Sequence, residues 1–102
     1  MDLVITVKEI KGTCPVYQVG DTILIREGFI LDTKKSCDVC MHSLASLMPY
    51  YVALFKGVHP KTLGLSGPRE DSAYLQCLDP CDITGGGTVV FEIVGSDGVS
   101  CE

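Results

Sequence analysis

The sequence predicts a small α+β domain: an antiparallel sheet of about four strands in the chain order β-β-α-β-β, covered by one helix that a proline interrupts. Residues 3–10 alternate in character, with Leu3, Ile5 and Val7 on one side and Val4, Thr6 and Lys8 on the other. Thr22 to Glu27 repeats that period, and 72–78 and 88–94 follow as two more strands, the last with Val89, Phe91 and Ile93 on one face. From Cys37 onward the apolar residues recur at helical spacing instead, through Cys40, Met41, Leu44, Leu47, Met48, Tyr51, Val52 and Phe55.

Gly12 and Pro15 break the first strand, and Gly20-Asp21 turns the chain into the second. Gly28 to Lys35 reads as a loop. Ser36 is a good N-cap for the helix, and Asp38 in its first turn complements the dipole. Pro49 removes a backbone donor, so it either kinks this helix or begins a second one, and Gly57 stops it. Residues 57–71 (GVHPKTLGLSGPRED) hold little periodicity and read as a long loop, either a lid or partner surface or a passive linker. The glycines at 85–87 precede a strand and so read as a turn, not a phosphate cradle. Residues 1–95 form one domain in this reading, and 96–102 a polar tail.

Composition sets the function classes. A chain of 102 residues that is 46% hydrophobic and 21% charged packs a core, which excludes a disordered or low-complexity chain. Eight basic against thirteen acidic residues leave a formal charge of -5, without the cationic footprint that a phosphate backbone requires, so no nucleic-acid partner is expected. The N-terminus MDLVITVKEI places charges around a short alternating run and does not read as a signal peptide. Leu44 to Phe55 is too short, and too interrupted by Pro49, to span a membrane. The expectation is a cytoplasmic protein with reduced thiols, a setting in which clustered cysteines hold metal or do redox chemistry.

The chain carries six cysteines. Cys37 and Cys40 form a CxxC at the expected helix start, where the dipole favours a thiolate on Cys37. Cys77 and Cys81 form a CxxxC whose Pro80 can bring both side chains to one spot. Cys14 precedes Pro15, and Cys101 sits in the tail. A CxxC with a CxxxC resembles a four-thiolate site for zinc or a [4Fe–4S] cluster, with Cys14 as another candidate ligand. Dithiol redox activity at the CxxC, and cysteines used only as small hydrophobes, are the other readings of the same residues. His42 falls on the polar side of the helix, and His59 lies in the long loop. Glu27, Asp32 and Glu70 are unpaired candidate acids, and no motif leads to a hydrolytic or transferase mechanism.

Cys14-Pro15 ahead of Gly20-Asp21, Cys37 opening an apolar segment that contains Pro49, and Cys77 with Asp79-Pro80 before the final strand together carry a resemblance. Over about residues 3–95 the chain resembles a family of small cysteine-containing proteins without an assigned activity, frequent in anaerobic bacteria and archaea. The resemblance implies a metal or iron–sulfur site on Cys14, Cys37 and Cys77, with Cys40 or Cys81 as an added ligand. The expected function is thus a metal-binding protein, an accessory or electron-transfer component of an anaerobe. The competing expectation is an interaction module, in which the acidic surface and the 57–71 loop bind a larger protein or a second copy.

Overall fold

The computed structural model describes residues 2–95. The alternating segments form β1 (Leu3–Gly12), β2 (Thr22–Arg26), β4 (Ala73–Gln76) and β5 (Gly87–Gly95), and a further two-residue strand, β3 (Ile30–Leu31), follows β2. They make a 5-stranded sheet in the order β3-β2-β1-β5-β4. Every pairing in it is antiparallel. The helices are short: α1 (Met41–Leu47), α2 (Tyr51–Phe55) and the single turn α3 (Cys81–Thr84).

The expected architecture of about four strands under one helix is therefore corrected to five strands and three helices. Strand β3 escapes a period search because two residues have no period. It forms because Glu27 and Gly28 take positive φ angles of 58° and 82°. That turn sets Ile30 against Arg26 and Leu31 against Ile25. Gly28 also has no room for a side chain, since an added Cβ would lie 2.2 Å from the Phe55 ring.

The helix divides at Pro49, which has no N–H to continue the ladder, and it starts later than expected. Ser36 Oγ does not cap it but accepts the Leu24 N–H of β2 at 2.8 Å. The Cys37 N–H donates to Thr22 O at 3.0 Å, and the Asp32 N–H to Leu24 O at 2.9 Å. The open edge of β2 has thus captured Asp32, Ser36 and Cys37 across a turn at 33–35, and Cys40 becomes the N-cap of α1. Near the other end of the chain, the DPCDIT segment closes one helical turn that ends on left-handed Gly85.

One face of the sheet packs under α1 and α2. Leu3, Ile5, Val7, Ile23, Val89, Phe91 and Ile93 are buried there with Leu47 and Leu54 of the helices. A bulge between Val7 and Glu9 shifts the alternation, which brings Ile10 back to the core side and turns Glu9 and Lys11 outward. The 57–71 segment is a pinned strap. Leu63 and Leu65 pack on the core, Leu65 O accepts the Tyr74 N–H, and Ser66 bridges to Ala73. Its end crosses to the outer face, where Arg69 and Tyr74 hold the buried Glu92 carboxylate. Tyr74 donates to Glu92 Oε2 at 2.6 Å, and Arg69 Nη1 lies 3.4 Å from Oε1. No helix among the described residues is long and apolar enough to cross a membrane.

Candidate thiol site

β1 ends, β5 begins and β4 ends toward the same end of the sheet, and Cys14 and Cys77 follow two of those ends. Cys77 lies just past β4, on the core side with Ala73 and Leu75, and is 7% exposed. Cys14 follows β1 and reaches the start of β5, whose Gly87 Cα leaves only 2.9 Å between an added Cβ and the Cys14 nitrogen. Cys37 and Cys40 arrive on the extended segment beside β2. Cys14, Cys37 and Cys40 are half-buried, and all pack against the core that contains Cys77.

Tyr17 bonds to both Cys14 and Cys40 and lies near Cys37, and sequence reasoning passed it over. It is 3% exposed, with its ring edge-on to Phe91 at a centroid distance of 5.4 Å. Its backbone N–H donates to Cys14 Sγ at 3.4 Å. Its phenol oxygen accepts the Cys40 N–H at 2.8 Å and lies 2.7 Å from Ser43 Oγ. Ser43 Oγ in turn donates to Cys40 O at 2.7 Å. Burial pushes the Tyr17 phenol above its ordinary range, and the nearby Cys37 and Cys40 sulfurs push the same way. The only sequence signal for it is a tyrosine three residues after a loop cysteine.

A second sulfur is oriented by the backbone in the same manner as Cys14: Cys77 Sγ accepts the Asp79 N–H at 3.4 Å. Cys37 differs. It precedes α1 instead of opening it, so the expected dipole does not act on it. Burial pushes its thiol up, and the Asp21 and Asp38 carboxylates add to the rise.

Cys81 is placed apart. It lines a groove of about 440 Å³ with Glu9, Lys11, Gln76 and Thr88, the outward residues of β1, β4 and β5. Its Sγ is 3.9 Å from Asp82 Oδ1, and Asp82 also pairs with Lys11 at 2.9 Å. The CxxxC therefore straddles the end of the sheet, one sulfur on each side. Cys101 lies outside the described residues. Among the described residues no group of three or more His, Cys, Asp or Glu side chains is already gathered to hold a metal ion.

The remaining candidates have local roles. His42 is exposed, and His59 Nδ1 accepts the Lys61 N–H at 3.0 Å. Asp32 closes its own turn. The Lys35 N–H, then the Lys34 N–H and Arg26, hold its carboxyl below the ordinary range. Glu27 pairs with Arg26 at 3.8 Å, and Glu70 is exposed.

The chain matches no protein-family model, no curated protein and no solved structure. Its site is read from its own geometry.

Proposed function

We propose that this chain binds a soft metal centre, zinc or an iron–sulfur cluster, through Cys14, Cys37, Cys40 and Cys77. The observation that carries the reading is that the Cys14 and Cys77 sulfurs each accept a backbone N–H at 3.4 Å, while Cys14, Cys37 and Cys40 all pack against the core that contains Cys77. A sulfur held by a backbone donor is fixed in direction, as metal ligands are by their outer partners. Thiolates drawn together without a cation repel one another. Closure of the irregular segments 13–19 and 36–40 is therefore coupled to uptake of the ion. Cys81, facing the outer groove, stands outside this ligand set. The role proposed is that of a cytoplasmic accessory or electron-transfer protein.

Protein purified without oxygen tests this. About one equivalent of zinc, or a brown sample with a cluster absorbance near ~400 nm, is the expected result. A colourless, metal-free and fully folded protein that takes up neither zinc nor reconstituted cluster overturns it.

A second reading, an interaction module, is favoured by one apolar patch. Phe29 is 70%, Met48 57% and Leu31 41% exposed, beside the short edge strand β3. They rim a cavity of about 280 Å³ floored by Ile5, Ile23 and Leu47. Soluble chains seldom leave such a patch uncovered. If it joins two copies, the sedimentation coefficient rises with concentration, and Phe29→Asp removes the rise without lowering the unfolding midpoint. A wild-type chain that stays monomeric at all concentrations removes the homo-oligomer form of this reading.

A further inference from the structure

We infer that the open edge of β4 is a strand-addition site that takes an extended, basic segment of a partner protein. β4 is the last strand of the sheet, with β5 on one side of it only. The Cys77 N–H donates to Val89 O of β5 at 2.8 Å. Successive peptide groups of a strand point to opposite sides, so the N–H groups of Tyr74 and Gln76 face the open edge. The strap meets the first of them: Leu65 O accepts the Tyr74 N–H at 2.8 Å, and Ser66 bridges to Ala73. It pairs no further along β4, because Gly64, at a φ of 74°, carries the chain into a turn that its N–H closes on Lys61 O. The Gln76 N–H is left without a partner among the described residues.

The surface beside that N–H is shaped for a strand. A groove of about 540 Å³ lies between the edge and the joint of α1 and α2, with Ala45, Pro49, Tyr50, Leu65, Leu75 and Leu78 among its lining residues. An added strand sets alternate side chains into this groove and the others toward the outer face. Native edges are ordinarily blunted by charge, proline or a bulge; Gln76 and Leu78 are exposed and supply none of these. The charge of the occupant follows from the two ends of β4. Glu70 and Asp71 precede it and Asp79 follows it, and none of the three is in an ion pair among the described residues. Against them stand Arg69, which Glu92 engages, and Lys61 at the turn of the strap. The chain as a whole carries -5, so a basic segment is drawn to this edge and a second copy is repelled from it.

Fluorescence anisotropy of a labelled, end-capped peptide of about eight alternating valines and lysines, titrated with the full chain, tests the inference. Saturable binding is expected, weaker by about tenfold or more when glutamate replaces the lysines. Gln76→Pro removes the edge N–H and no ladder bond, since that N–H points away from β5, and is expected to weaken binding by about tenfold or more. In the wild type, hydrogen exchange of the Gln76 amide followed by NMR should slow by about tenfold or more when the peptide is bound. That measurement carries the test if Gln76→Pro does not fold. A basic peptide that does not bind, a glutamate peptide that binds equally well, unchanged affinity in folded Gln76→Pro, or an unslowed Gln76 amide overturns the inference. A wild type that dimerises and that Gln76→Pro returns to monomer assigns the edge to a second copy, which overturns it too.

Discussion

If the proposed site holds a metal, serine at Cys14, Cys37, Cys40 or Cys77 is expected to lower the bound metal to below about a tenth of an equivalent, and Cys81→Ser to keep the full complement. The contrast follows from the faces of the sheet. The first four sulfurs lie in or against the core, and Cys81 lines the outer groove with Glu9 and Lys11. Serine is nearly the size of cysteine but is a poor ligand for a soft ion, so the loss reports coordination more than packing. Cys77 needs a control because it is buried and a hydroxyl there is costly even without metal. Cys77→Ala supplies it: apolar like the thiol, it separates the lost ligand from the buried hydroxyl. Retention of metal in all four variants, or its loss in Cys81→Ser, would sink the assignment. A chelator should also lower the unfolding temperature of the wild type and leave that of the metal-free variants unchanged.

Phe91→Ala has the largest effect expected on stability, a loss of about 3–5 kcal/mol. Phe91 is fully buried at the middle of β5, opposite Val7 of β1 on one side and Leu75 of β4 on the other. Its removal opens a void that flanking strands cannot close, because their spacing is set by backbone hydrogen bonds. It also takes away the edge-on partner of Tyr17, an aromatic pair worth about 0.5–1.5 kcal/mol beyond buried area. A domain of this size is stable by about 5–15 kcal/mol, so the variant sits near the limit of folding. Urea titration should show a lower midpoint with an unchanged slope. A midpoint within about 1 kcal/mol of wild type would mean that Phe91 is not the centre of the core.

Much of the fold was legible because it rests on period. Leu3, Ile5 and Val7 and then Val89, Phe91 and Ile93 occupy the core face as their alternation predicts. The helical stripe holds less well: Leu47 is buried, but Met41, Met48 and Val52 are exposed, and the buried residue of α2 is Leu54, which the stripe did not include. What was not legible depends on competition between distant groups. Ser36 is a good N-cap by type, yet the unpaired Leu24 N–H of β2 reached its hydroxyl first. Cys37 was expected as a dipole-activated thiolate and is instead a thiol pushed up by burial. Glu92 sits on the outward face of β5, where a solvated carboxylate is expected, and the strap bearing Arg69 buries it.

The sequence by itself determined an antiparallel α+β domain, an acidic surface and a set of cysteines near element ends, because period, charge and spacing are properties of neighbouring residues. Only the tertiary structure decided which cysteines meet. Cys77 and Cys81, four positions apart, would share a face on a strand, but β4 ends at Gln76 and the turn α3 begins at Cys81, so the chain leaves the strand period and they separate to the core and to the outer groove. Cys14 and Cys40 come together for a reason that no local pattern carries: one buried tyrosine hydrogen-bonds to both.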